Sequence, residues 1–143
     1  MNNKILKPLT PGAKRAGPEE YFFDLNNMDR IMGGPTYSTA NGPCVEGDRL
    51  ITALMKLPAG TESKPHNHPN EQWIFIVEGT VDAEVGGKKH RASKGSLVYV
   101  PSNVIHGLKA TPDADVVFFT AKDASFSLQG KSQMSNPSRK SAI

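Results

Sequence analysis

Cysteine is nearly absent from this 143-residue chain: Cys44 stands alone, so no intrachain disulfide can staple the fold. With neither a second cysteine nor a histidine nearby in sequence, Cys44 is expected to be a small buried side chain rather than a reactive thiol. Long apolar runs are also lacking. No stretch approaches the roughly 20 residues that a membrane-spanning helix needs, so no membrane partner is expected. The first twelve residues hold Lys4, Lys7 and two prolines but no apolar h-region. The expectation is a chain without a signal peptide, at home in a reducing cytoplasm. Ala-, Leu- or Glu-rich stretches are missing, as is any repeat of solenoid period, which argues against long helices and stacked arrays. There is no dense basic stripe with interleaved aromatics. The formal charge of +3 gathers near the ends, at Lys4, Lys7, Lys14 and Arg15 and again at Lys131, Arg139 and Lys140. It reads as solvated ends, with no nucleic-acid partner.

What the chain does have is punctuation: 13 glycines and 11 prolines, which favour many short elements. The 37% of hydrophobic residues suffices for one modest core. Residues 1–47 read as an N-terminal arm and covering segment, with turn signals at Gly33-Gly34-Pro35 and Asn41-Gly42-Pro43. Residues 48–124 change character. Leu50 to Leu57 is a near-continuous apolar run, and Trp73 to Val77 is rich in aromatic and β-branched residues. Thr80 to Val85 alternates Val81, Ala83 and Val85 against Asp82 and Glu84, and Gly86-Gly87 follows as a hairpin turn. Leu97 to Val100 and Val116 to Ala121 complete the set. Short strands separated by turns predict an all-β sandwich or closed barrel. Residues 125–143 are polar and predict a loose tail.

Two segments carry chemistry: Gly60 to Gly79 and Gly95 to Ala110. His66 and His68 are two apart. On an extended strand, such side chains share a face, with backbones about 6.6 Å apart. Two imidazoles so placed can converge on one ion at about 2.0–2.1 Å each. A helix would send them to different faces. Gln72 opens the next strand with a neutral carbonyl oxygen, and His106 lies just past the strand that Pro101 ends. If those strands pair, a third imidazole closes the site and leaves coordination positions open.

These segments resemble the two motifs of the cupin family. The first motif matches at Gly60, His66, His68, Gln72 and Gly79, with Gln standing where the family usually has Glu. The second matches at Gly95, Pro101, Asn103 and His106. Asn103 replaces a glycine, which is tolerable because Asn also visits positive φ. Ala110 replaces a terminal Asn. The resemblance covers about residues 50–122. It implies a single-domain cupin jelly-roll β-barrel of six to eight strands, with a metal inside its mouth.

The metal ligands on this reading are His66, His68, Gln72 and His106. Glu71, which is charged, is the rival to Gln72, and a site of three histidines alone is the third option. A one-residue slip flips a strand side chain to the opposite face, so only one of Glu71 and Gln72 points inward. With Gln72 the donors are all neutral, and the ion keeps its full charge as a Lewis acid. Cupins resembling uronate ring-opening enzymes use such a neutral set. The cofactor is one divalent transition metal: Fe, Mn, Ni, Zn or Cu. The fourth histidine, His90, lies among Lys88, Lys89 and Arg91 and reads as exposed.

If Gln72 faces inward, Ile74 and Ile76 do too, while Trp73, Phe75 and Val77 form an outward apolar stripe. Either the N-terminal segment covers that stripe or a homodimer does, and the homodimer is the expectation. Tyr99, Glu71, Tyr37 and Lys64 are the candidates for acid–base work. The function expected is a metalloenzyme of dioxygenase-like type acting on a small oxygenated substrate. The alternatives are a Lewis-acid lyase or isomerase of a sugar or uronate derivative, and a non-catalytic metal-anchored ligand-binding cupin.

Overall fold

A computed structural model describes residues 7–132. In chain order the strands are β1 (Lys14–Arg15), β2 (Ile31–Met32), β3 (Asn41–Gly42), β4 (Cys44–Glu46), β5 (Leu50–Leu57), β6 (Glu62–Asn67) and β7 (Gln72–Glu78). Then follow β8 (Thr80–Val85), β9 (Lys88–Ser93), β10 (Leu97–Val100), β11 (His106–Ala110), β12 (Val116–Asp123) and β13 (Lys131–Ser132). The one helical element described is a single 3-10 turn, Leu25–Asn27, capped by the Asp24 carboxylate. No helix among the described residues is long and apolar enough to cross a membrane.

The strands form two sheets. The larger runs β1-β4-β5-β12-β7-β10, with β3 also pairing β5 and β2 pairing β3. The smaller runs β13-β6-β11-β8-β9. Alternation decides what each sheet contributes to the interior. In β5, Ile51, Ala53, Met55 and Leu57 are buried, and in β7 Gln72, Ile74 and Ile76 are. Val81, Ala83, Ala92, Leu108 and Ala110 face them from the smaller sheet, and the two inner faces make one core cluster. Fully burying side chains of this size contributes about 1.5–3 kcal/mol each. The architecture is the all-β jelly roll that the sequence suggests.

Two regions differ from the sequence expectation. The segment before residue 48 is less a cover than part of the larger sheet: Cys44–Glu46 pairs antiparallel with β5, and Lys14–Arg15 pairs parallel with Val45–Glu46 of β4. Buried Glu46 explains the anchorage, because its carboxylate accepts from the backbone N–H of Leu9 (2.7 Å) and Thr10 (2.9 Å). The aromatic stripe is left uncovered, with Trp73 44%, Phe75 42% and Phe119 38% exposed. Residues 125–132, read as the start of a loose tail, instead fold back over the barrel end. Leu128 is 3% exposed, and its N–H donates to Thr10 Oγ1 at 2.8 Å. Polar composition hid this, because the segment is held by hydrogen bonds rather than by apolar area. The rest of that tail, and the charges at Lys4, Arg139 and Lys140, lie outside the described residues. Cys44 is buried, and burial pushes its thiol up to about 12, beside Glu46 and Lys122.

Tight turns carry the chain between sheets. Gly79, between β7 and β8, has φ +84°, and a Cβ there would stand 2.5 Å from the Asp115 carbonyl oxygen. Gly87, in the hairpin before β9, has φ +82° with nothing within 4 Å. Both positions punish a side chain through left-handed strain, about 1–2 kcal/mol. Only Gly79 adds a steric clash. Gly79→Ala is therefore expected to lower stability in urea titrations by clearly more than Gly87→Ala, and equal losses would refute the close approach.

Candidate metal centre

The site sits where both sheets meet the closing segment. β6 delivers His66 and leads to His68 just beyond it, β7 opens with Gln72, and β11 opens with His106. The β6–β11 pairing sets His106 directly opposite His66. Asn103 makes the approach to β11 possible: it takes φ +62°, and its N–H donates to the His68 carbonyl at 2.8 Å. All three imidazoles and Gln72 are buried. One ring nitrogen from each of His66, His68 and His106 lies within 4.8 Å of the others.

Hydrogen bonding orients the rings. Each Nδ1 faces a backbone carbonyl: His66 to Lys64 (2.6 Å), His68 to Asn70 (3.0 Å) and His106 to Val104 (2.9 Å). A carbonyl can only accept, so the Nδ1 atoms of His66 and His106 carry the proton and their Nε2 atoms keep the lone pair. His106 Nε2 is buried without a partner. Gln72 is held the same way. Thr120 donates its hydroxyl proton to the Trp73 carbonyl (2.9 Å), so its oxygen accepts from Gln72 Nε2 (2.8 Å). Gln72 Oε1 is thereby turned to His68 Nε2, 3.0 Å away. His68 thus meets a carbonyl oxygen at each ring nitrogen, and a neutral imidazole has one proton, so one of the two contacts is acceptor against acceptor.

Charge on the imidazoles does not resolve that pair. Burial, more than any neighbour, holds His66 down at about 2, His68 at about 3 and His106 at about 4. His106 adds repulsion for His66, and Lys122 for all three. A neutral three-imidazole, one-amide pocket with inward lone pairs fits a divalent transition metal. An open cavity of about 50 Å³ adjoins it, lined by Tyr37, His66, Gln72, His106, Lys122 and Leu128 among others.

The other candidates fall differently. Glu71 is exposed, on the face opposite Gln72, because adjacent strand residues alternate. Tyr99 pairs with Trp73 in register, which puts it on the outer face with the Trp73 ring 4.5 Å away. Neither faces the histidines, so neither serves as their acid or base. Lys64 is exposed, and so is His90. Tyr37 does reach the site: it is 5% exposed and stacks on His66 with ring centroids 4.1 Å apart. Burial pushes its phenol up to about 12, opposed by the Gly130 N–H that donates to its oxygen.

Sequence reading missed Lys122, Thr120 and the closing segment. Thr120 and Lys122 continue the inward phase of Val116 and Phe118 on β12. That phase was the available signal, but a lysine at the end of a strand ordinarily reads as solvated. Burial brings Lys122 down to about 7, with Cys44 and Asp123 opposing the shift.

The histidine shifts fix a pH dependence. The unfolded chain takes up these protons near 6.5, the folded chain only near 4 or below. Between those values the unfolded state binds more protons, so stability rises with pH and is lost on acidification. The melting temperature of metal-free protein should fall as pH drops from 6.5 towards 4, less steeply in His106→Phe. A flat profile would contradict the buried, neutral histidines.

Residues 53–122 match the family model described as Cupin domain. Dimethylsulfoniopropionate lyase DddW of Ruegeria pomeroyi is 24% identical over 112 residues, 73% of each chain. The uncharacterized protein SCO3923 of Streptomyces coelicolor is 33% identical over 57 residues, 40% of this chain, and the match spans only 54% of that relative. The solved structure of KdgF from Halomonas sp. superposes with a TM-score of 0.61 at 24% identity, covering 71% of this chain and 92% of KdgF. With both motifs in place, the two facing sheets and the matched domain, this chain belongs to the cupin superfamily.

Proposed function

We propose that His66, His68 and His106, through Nε2, and Gln72, through Oε1, hold one divalent transition metal, and that the chain is a metal-dependent enzyme acting on a small oxygen-bearing molecule. One observation carries this reading: three buried imidazoles bring a nitrogen each within 4.8 Å of the others, with His106 Nε2 unpartnered and Gln72 Oε1 3.0 Å from His68 Nε2. A cation is what such a set lacks. When bound, the metal supplies Lewis acidity towards a substrate oxygen. The chain's own residues do the rest. Four neutral donors leave the ion's charge undiminished, Ile74, Leu108 and Phe118 keep bulk water from the inner wall, and Tyr37 fixes the plane of His66.

Lewis-acid lyase or isomerase chemistry suits this arrangement best, and the likeness to a dimethylsulfoniopropionate lyase over nearly three quarters of both chains supports it. The dioxygenase-like reading keeps one observation in its favour: three imidazoles with open positions also suit Fe²⁺. The metal separates the two. Elemental analysis of untagged protein purified without oxygen should find one metal near stoichiometry, reduced at least about tenfold in His66→Ala and His106→Ala. Zinc, nickel or manganese would favour the lyase or isomerase, and iron with dioxygen uptake the oxidative branch. Folded wild-type protein that binds none of Fe, Mn, Ni, Zn or Cu would sink the reading.

The same reading includes a homodimer. Trp73, Phe75, Leu97, Tyr99 and Phe119, each 38–59% exposed, are brought together by the β10-β7-β12 register. They expose on the order of 500 Å², a large share of the roughly 800 Å² per partner in a stable interface. The occupant we assign is a second copy of this chain, sheet against sheet. Light scattering should give twice the chain mass for wild type and the single mass for Trp73→Glu. A monomeric wild type at micromolar concentration would refute the pairing.

A further inference from the structure

We infer that Lys122 is a substrate-binding residue, and that the substrate is a small carboxylate, one oxygen of which Lys122 holds while another lies at the centre formed by His66, His68, Gln72 and His106. This rests on the metal reading above and names the class of molecule the site takes.

The argument starts from strand phase. Lys122 is the cross-strand partner of Gln72, so both side chains point into the barrel from one rung of the ladder. It is 3% exposed and lines the same cavity as His66, Gln72 and His106. An ammonium group has three N–H donors. Among the described residues Lys122 makes one hydrogen bond, to the Leu128 carbonyl oxygen, and no ion pair. Two donors are left over in a pocket whose lining includes no carboxylate. A buried amine with spare donors and no ion-pair partner is costly unless something completes it. The donor set of the centre is neutral too, and the nearby Asp123 carboxylate accepts from the Glu71 and Ser125 backbone N–H groups rather than from Lys122.

A carboxylate answers each feature. It only accepts, it offers two oxygens in one plane, and it brings the missing negative charge. A neutral alcohol or ketone would meet the centre but leave Lys122 as it is. The Leu128 carbonyl holds the place of the substrate oxygen. Leu128 also lines the cavity, which is small at about 50 Å³. A guest that displaces Leu128 also frees the lysine from its one carbonyl partner. The segment is tied down by polar bonds that water can replace: Asn70 Nδ2 to the Phe126 carbonyl (2.7 Å), Leu128 N–H to Thr10 and Gly130 N–H to Tyr37.

The test uses cobalt(II)-loaded protein, read by its visible absorption, with acetate as the carboxylate and acetamide as its neutral isostere. Acetate should perturb the wild-type spectrum at least about tenfold more tightly than it does the spectra of Lys122→Met and Lys122→Gln, while acetamide binds all three alike. Equal acetate affinity in cobalt-replete variants would overturn the role of Lys122 and leave the metal reading standing. A wild-type chain that takes up no cobalt would overturn both. Should neither variant fold, zinc-loaded wild-type protein labelled at lysine 15Nζ decides: acetate, and not acetamide, should shift the buried resonance. A resonance that stays in place overturns the proposal.

Discussion

The pairing of β6 with β11 is the constraint on which the centre depends. It sets His106 opposite His66 across one ladder, and the two-residue period then brings His68 to the same side. Slip that register by one and His106 would leave the interior while its neighbours entered. Much of the remaining architecture holds this register still. Asn103 binds the His68 carbonyl from the approach to β11, β8 pairs β11 from its other side, and the inner faces of both sheets lock into one core.

The centre is built from acceptors, and the protein spends its donors on keeping it so. Backbone carbonyls take the Nδ1 protons of His66 and His106, and a threonine that is itself committed to a carbonyl takes the Gln72 amide. Each of these bonds is modest alone, about 0.5–1.5 kcal/mol net. Their combined effect is directional: the Nε2 lone pairs of His66 and His106 and the Gln72 Oε1 atom are turned towards one place. Burial then keeps protons out by making imidazolium expensive, so the cost of desolvation works for the site rather than against it.

Much of this was legible in the sequence, and the reasons differ by residue. His66, His68, Gln72 and His106 could be read because strand period is rigid: once the segments are extended, parity follows. The same parity placed Ile74 and Ile76 inside and Trp73 and Phe75 outside. Tyr99 could not be placed, because its face depends on which strand it pairs with, and β10 meets β7 in a register that composition does not reveal. Lys122 stayed hidden because its charge argues for solvent, and only the pairing of β12 with β7 shows it pointing inward. The closing segment was illegible for another reason. Its hold includes single hydrogen bonds to Thr10, Asn70 and Tyr37, residues distant in sequence, and a two-residue pairing with β6, and no periodicity announces such contacts.

Gly130 gives the closing segment its height above the centre. A Cβ at that position would come within 3.2 Å of the Cδ2 atoms of both His66 and His68 and 3.0 Å of the Asn67 carbonyl oxygen. The lack of one methyl group is thus what lets backbone lie almost in contact with two of the donors. Access and reactivity are set by different parts of the chain: the donors by two strands and their carbonyls, the headroom by one residue on a segment that donates nothing to the centre. Relatives with the same donors but a bulkier residue at this height would carry the same centre under a taller roof, and would accept longer molecules without any change in how the metal is held.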